Sequence, residues 1–429
     1  MKTTVTLFFL FILHPLGYAE SPENILKQIT EIISEIPEGT KIGMMVYNPL
    51  TQDTLIKINH TQTMIPASNI KLFTTAVALE TMGGDFLLST KILSDDKDIT
   101  DGRINGNIYI KGFGNATFET EDLDSLATSL YNSGLRQITG NVIGDDTYFD
   151  NVYSRDDWIN EERANVKLPP ISALVIDRNR TTISKKKRGR YRTYFVNVEN
   201  PPLFAAKKFR DKLISHGIEI KGSVISDQTP VDASVISESS ISLREVIKLI
   251  NKHSDNFLAE CLFKSIGAVY SGKQGNSLFS TQAIISYIQD NGIYSERTQV
   301  VDGSGISRFD EVTVGALTGL LEQVYFDINH FEDFYNSLSI AGVDGTLEDR
   351  LTGTLAENNF RGKTGTLNGV SSISGYLTTA DGDDLIVCIM FEFKKGGARK
   401  YRNIQDKIIE HLARWENENP ESSNDQGLK

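Results

Sequence analysis

The two ends of this chain carry matching patterns, and any fold has to account for both. Ile25, Leu26, Ile29, Ile32 and Ile33 recur at helical spacing after Pro22, and Pro37-Glu38-Gly39 stops the run. Strand-like segments follow at 41–47 and 54–58, joined by the turn chemistry of Asn48-Pro49-Leu50-Thr51-Gln52-Asp53. Near the other end, 371–379 and 384–393 also read as strands, split by Ala380-Asp381-Gly382-Asp383, and 401–415 reads as an amphipathic helix. A helix and hairpin at one end and a hairpin and helix at the other can share one antiparallel sheet with helices on its face. The expected class is α+β, with the fold closed by its termini.

Residues 84–236 differ in texture. Short alternating segments such as Gly106-Asn107-Ile108-Tyr109-Ile110 and Gly140-Asn141-Val142-Ile143 are punctuated by Gly, Asp and Asn, which reads as an inserted, strand-rich region. Helical periodicity returns over 243–250, 257–266 and 278–290. With 429 residues the chain exceeds one ordinary core. The expected division is 20–83 with 237–416 as one domain, 84–236 inserted into it, and 417–429 as a polar tail.

Residues 1–19 hold one cation, Lys2, an apolar run from Val5 to Leu13 and small residues at Gly17 and Ala19, the pattern of a secretory signal. The run is broken by His14 and Pro15 and falls short of the ~20 residues needed to span a bilayer. The mature protein is therefore expected to be exported, periplasmic or extracellular, and soluble or loosely membrane-associated. Losing Lys2 takes the net charge from −12 to −13, which argues against a nucleic-acid partner. Within this acidic chain, Ser184-Lys185-Lys186-Lys187-Arg188-Gly189-Arg190 is a basic run, read as a solvated hairpin tip or a contact for an anionic polymer. The two cysteines, Cys261 and Cys388, sit in apolar runs and read first as buried thiols, with a disulfide between them as the alternative.

A serine hydroxyl becomes a nucleophile when a neighbour accepts its proton, and a lysine can do so if burial disfavours its charge. In Pro66-Ala67-Ser68-Asn69-Ile70-Lys71, Ser68 and Lys71 are three residues apart, so a helix starting there places them on one face. This spacing is common by chance, with the serine often only a cap. Two further stretches strengthen it. Ser254-Asp255-Asn256 precedes the apolar run Phe257-Leu258-Ala259-Glu260-Cys261-Leu262, so the Ser254 hydroxyl and the Asn256 amide can project from the turn before a helix. Lys363-Thr364-Gly365-Thr366 leads toward a strand-like run and supplies a cation, hydroxyls and backbone N–H groups.

Ser-x-x-Lys, Ser-Asp-Asn and Lys-Thr-Gly in this order are the signature of penicillin-binding proteins and class A β-lactamases. Ser68 and Ser254 lie 186 residues apart, and the strand-rich insertion fills that interval. In this the chain resembles the class C low-molecular-weight penicillin-binding proteins, the D-alanyl-D-alanine carboxypeptidase/endopeptidase family. Further stretches that resemble the family are Gly112-Phe113-Gly114-Asn115-Ala116-Thr117, Gly144-Asp145-Asp146-Thr147-Tyr148-Phe149-Asp150, Val301-Asp302-Gly303-Ser304-Gly305-Ile306-Ser307-Arg308 and Ala341-Gly342-Val343-Asp344-Gly345-Thr346-Leu347. Asn115-Ala116 departs from the family's usual Asp-Pro.

The resemblance implies a penicillin-binding transpeptidase-like domain acting on peptidoglycan stem peptides, with β-lactams as covalent inhibitors, no cofactor, no metal, and room for a homodimer. Carried over by position, Ser68 is the nucleophile, Lys71 its base, Ser254 and Asn256 the proton path and amide contact, and Lys363 an electrostatic support. Thr364 would bind the substrate carboxylate, and the N–H groups of Ser68 and Thr366 would form the oxyanion hole. Asp145 or Asp146, Phe149, Ile306 and Arg308 resemble the pocket for the stem-peptide side chain. The sequence has no Gly-x-Ser-x-Gly elbow for a Ser-His-Asp hydrolase and no His-Glu-x-x-His or zinc-spaced cysteine pair. The nearer rivals are a β-lactamase, against which the long insertion argues, and a wall sensor with little turnover.

Overall fold

The computed structural model describes residues 20–158, 168–187, 190–294 and 296–416. The expected signal segment and polar tail lie outside these residues. A six-stranded antiparallel sheet runs in the order Ser339–Ile340, Arg361–Leu367, Val370–Thr378, Asp384–Glu392, Lys41–Asn48 and Asp53–Ile58. The terminal segments therefore do meet: Lys41 pairs with Glu392 and Tyr47 with Ile386 along one continuous ladder.

Both faces of this sheet are covered, which is why 385–391 reads as an unbroken apolar run rather than an alternation. Leu385, Val387, Ile389 and Phe391 pack with Ile25, Ile29, Tyr401 and Ile408 from the terminal helices Pro22–Ser34 and Ala398–Ala413. Ile386, Cys388 and Met390 face the opposite way, into a core built by the helices Ile70–Met82, Leu243–His253, Asn256–Ser271 and Val314–Phe326. Cys261 and Cys388 are both buried free thiols in that core, so the disulfide alternative is not the one adopted. Burial pushes both thiol pKa values up, which leaves them unreactive.

The inserted region has its own five-stranded sheet, ordered Val224–Ser226, Val142–Asp145, Ile108–Phe113, Leu87–Ser94 and Ser234–Ser242, and its own apolar cluster. Two helices pack on it, Thr120–Asn132 and Pro201–Ser215. Neither was read from the sequence, although a capping box between Glu119 and Asp122 starts the first and Leu123, Leu126, Ala127 and Leu130 form its buried stripe. The last strand runs on past residue 236 to Ser242 and passes directly into the helix Leu243–His253.

Candidate active site

Three segments distant in sequence converge at the edge of the terminal sheet. Ser68 lies in a single 3-10 turn, Ala67–Asn69, that runs directly into the helix Ile70–Met82. That continuity sets Lys71 one turn above Ser68, and its Nζ lies 3.0 Å from Ser68 Oγ. The same amine donates to Asn256 Oδ1 at 2.6 Å and to the Ser304 carbonyl at 2.5 Å. Lys71 is completely buried, and burial lowers its pKa to about 8, against an opposing pull from the charges of Asp302 and Glu260. An amine so placed can be neutral near physiological pH and can take the serine proton.

Asn256 begins the helix Asn256–Ser271, and Asp255 caps it by accepting from the Leu258 N–H at 3.0 Å. Ser254 just before it is left-handed, with φ of 54°, which turns the chain from one helix into the next at the cleft wall. Asp255 is also held by a two-pronged ion pair with Arg178, both contacts at 2.8 Å, so the inserted region braces this turn.

The strand Arg361–Leu367 forms the other wall. Its outer neighbour, Ser339–Ile340, pairs only with Arg361 and Gly362, which leaves Lys363 onward as an open edge. Gly365 must be glycine: a Cβ there would lie 2.7 Å from the Pro66 carbonyl and 2.2 Å from Ser372 Oγ. Ser372 Oγ donates to that carbonyl at 2.6 Å and Asn69 Nδ2 donates to Ser372 Oγ at 2.5 Å, fastening the serine turn to the sheet. Lys363 is fully buried, its Nζ donating to the Thr364 carbonyl at 2.9 Å, and burial with the nearby Lys71 charge pushes its pKa well down. A cleft of about 430 Å³ is lined by Ser68, Ser254, Asn256, Thr346, Arg350, Thr364, Thr366 and Arg402. It is hydroxyl-rich and bordered by two guanidinium groups, of which that of Arg350 is ion-paired with Asp406 at 2.6 Å, a setting suited to a carboxylate beside the serine.

Behind Lys71 lies a buried acidic group. Asp302 accepts backbone N–H bonds from Ser304 at 3.0 Å, Gly305 at 2.6 Å and Ser307 at 2.9 Å, and so shapes the loop whose Ser304 carbonyl reaches Lys71. Gly305 has φ of 78°, and a Cβ on it would come within 1.9 Å of the Ala67 carbonyl. Asp310 receives the Val301 N–H at 2.7 Å, and burial beside Asp302 pushes its pKa well up. Glu260, one turn beyond Asn256, accepts from the Gly303 N–H at 3.0 Å, and burial raises its pKa to about 8.

The motif residues Ser68, Lys71, Ser254, Asn256, Lys363, Thr364 and Thr366 are thus assembled at one site. The residues expected to receive a stem-peptide side chain are not part of the cleft lining. Asp145 is enclosed, with Lys111 at 2.9 Å and N–H donors from Thr147 and Thr229, because the inserted sheet uses it to tie its own turns. Asp146 accepts from Tyr153 and Ser172, each at 2.8 Å, and burial raises its pKa. Phe149 is buried, bridged to Gly275, and its ring lies tilted 5.5 Å from that of Tyr148. Ile306 packs on the helical core, and Arg308 donates to the Asn368 carbonyl at 2.6 Å.

Sequence reasoning gave no role to Asp302, Ser304, Glu260, Arg178, Thr346, Arg350 or Arg402. Asp302 and Ser304 lie in a stretch singled out for its pattern, and Glu260 stands as an acid inside an apolar helix, which was a usable signal. Nothing local marked the two arginines of the cleft, Arg350 and Arg402.

A profile of the D-Ala-D-Ala carboxypeptidase 3 (S13) family matches residues 25–193 and 186–415. The D-alanyl-D-alanine carboxypeptidase of Actinomadura sp. (strain R39) is 28% identical over 463 residues, covering 91% of this chain and 85% of that protein. The crystal structure of penicillin binding protein 4 (dacB) from Haemophilus influenzae superposes with a TM-score of 0.77 at 22% identity, covering 89% of this chain and 99% of that one. The same protein complexed with a β-lactam gives a TM-score of 0.73 at 23% identity, covering 89% and 98%.

Proposed function

The chain belongs to the D-Ala-D-Ala carboxypeptidase 3 (S13) family and is a D-alanyl-D-alanine carboxypeptidase of peptidoglycan, and from this premise we propose that it works through an acyl-enzyme on Ser68. The observation that carries this is the 3.0 Å contact between Ser68 Oγ and the buried Lys71 amine. In the proposed reaction the neutral amine takes the Ser68 proton as Oγ attacks the carbonyl carbon of the penultimate D-alanine. The oxyanion is met by the N–H groups of Ser68 and Thr366, each such donor worth roughly 3 kcal/mol. The C–N bond then breaks, and the proton passes through Lys71, Ser254 and the neighbouring Lys363 to the leaving D-alanine. Water completes the cycle by opening the ester.

Thr364, Thr346, Arg350 and Arg402 stand where the substrate carboxylate would lie, and the open strand edge from Lys363 can pair with the substrate backbone. Leaving groups longer than D-alanine, as in cross-linked stems, fit the same chemistry, so endopeptidase action is included. A wall substrate requires an exported enzyme, consistent with residues 1–19; among the described residues no helix is long and apolar enough to cross a membrane.

Incubation of the mature protein with benzylpenicillin, followed by intact mass, is expected to give a lasting adduct. A transient adduct with rapid loss of the antibiotic would instead indicate a β-lactamase. The acylation rate constant is expected to rise about tenfold per pH unit below the Lys71 pKa and to level off above it. The sign follows from the base being the neutral amine, which is protonated below about 8. Glu260 titrates in the same range, so the inflection belongs to the buried pair rather than to one residue. A rate that falls as pH rises from 6 to 8 would exclude Lys71 as the base.

A further inference from the structure

The strands Arg180–Lys187 and Arg190–Asn197 form a two-stranded ribbon that pairs with no other strand among the described residues. Each strand has 8 residues, so the ribbon extends about 26 Å. Between Arg180 and Asn197 there is no acidic residue, in a chain of net charge −12. In the ladder, Lys185 stands opposite Arg192 and Lys187 opposite Arg190. Like charges directly across a ladder destabilise it, so these pairs work against the hairpin's own folding and need another explanation.

Lys186 is opposite Tyr191, which is 73% exposed, and Phe195, opposite Thr182 nearer the root, is 77% exposed. Cross-strand partners share a face, so one face carries Lys185, Lys187, Arg190 and Arg192, and the other Lys186, Tyr191 and Phe195. Cations alone would suit a soluble polyanion. Aromatic rings held in water among cations gain most at a lipid headgroup interface, where ring and charge are both satisfied. A second copy of the ribbon is disfavoured, because its edges would bring like charges together.

We infer that this basic, aromatic hairpin docks the protein on an anionic phospholipid surface, entering the headgroup layer by the end that carries the Lys187–Arg190 pair, with both faces engaged. Its root adjoins the catalytic turn: Arg178, two residues before the first strand, is the partner of Asp255. Docking there holds the cleft at a fixed reach from the bilayer, close to nascent wall.

The test is co-sedimentation of the full mature protein with vesicles of phosphatidylcholine, alone or with about a third phosphatidylglycerol. Binding is expected only to the anionic vesicles and is expected to weaken with salt. Lys185→Glu with Lys187→Glu turns two like-charged cross-strand pairs into opposite ones, so the hairpin stays folded while the net charge of residues 180–197 falls from +7 to +3. That variant is expected to lose vesicle affinity by at least about 100-fold, with an unchanged thermal midpoint and unchanged D-alanine release from a soluble muropeptide. Phe195→Ser is expected to weaken vesicle binding while leaving binding to polyphosphate as it was. Undiminished vesicle binding by the doubly substituted variant would overturn the inference. So would binding of the wild type to polyphosphate but not to vesicles.

Discussion

Ser68→Ala is expected to abolish the covalent adduct with benzylpenicillin and to lower D-alanine release by roughly 10⁴-fold or more, while leaving the thermal midpoint within a degree or two. The stability part of this follows from what the hydroxyl does in the resting protein. Its described contact is with the Lys71 amine, which keeps Asn256 Oδ1 and the Ser304 carbonyl as partners when the hydroxyl is lost. The activity part follows from the reaction having no other nucleophile at the centre of the cleft: Ser254, Thr346, Thr364 and Thr366 also line it, but none has the buried amine as a hydrogen-bond partner among the described contacts. Intact mass before and after antibiotic, with release measured on a pentapeptide muropeptide, checks both. An adduct persisting on the Ala variant would place the nucleophile elsewhere.

Asp302→Ala is expected to cost at least about 3 kcal/mol of stability, the sum for three buried donors left unpaired. The backbone N–H groups of Ser304, Gly305 and Ser307 lose their acceptor, and each buried unpaired donor is penalised by about 1–3 kcal/mol. Acylation falls with it, since the same loop presents the Ser304 carbonyl to Lys71. Asp302→Asn separates the two effects. It keeps one acceptor oxygen for the Ser304 and Gly305 N–H groups, gives up the one that the Ser307 N–H uses, and removes the charge that holds the Lys71 pKa up, so the inflection of the acylation pH profile is expected to move to lower pH. Chemical denaturation and the pH profile are the measurements; a destabilised variant with an unmoved inflection would make Asp302 a purely structural residue.

The buried acids behind Lys71 explain why a lysine with no contact to bulk solvent is not driven further from its ordinary range. Burial alone lowers its pKa, and the charges of Asp302, Glu260, Asp255 and Asp310 oppose that. Lys363 lacks such a counterweight and is pushed further down by the Lys71 charge itself. The two lysines therefore differ because of their surroundings rather than their chemistry, which suits the proposed roles of Lys71 as proton acceptor and Lys363 as a donor beside the strand.

The sequence by itself determined whatever depends on local spacing. Ser68 and Lys71 meet because a helical turn brings residues three apart onto one face, and the terminal hairpins were legible because two-residue alternation and turn residues are local properties. Ser254-Asp255-Asn256 was readable for the same reason, as a cap before an apolar helix. Tertiary structure alone decided which carbonyl receives the Lys71 proton donor, that Arg178 of the insertion braces Asp255, and that Arg350 and Arg402 reach the cleft. It also turned Asp145 inward, to tie the turns of the inserted sheet, and set Phe149 against Gly275 of the helical domain, at positions where the resemblance implies a substrate pocket. Contacts between residues far apart in sequence depend on how whole layers pack, and a side chain's pattern carries no record of which partner the packing will bring to it.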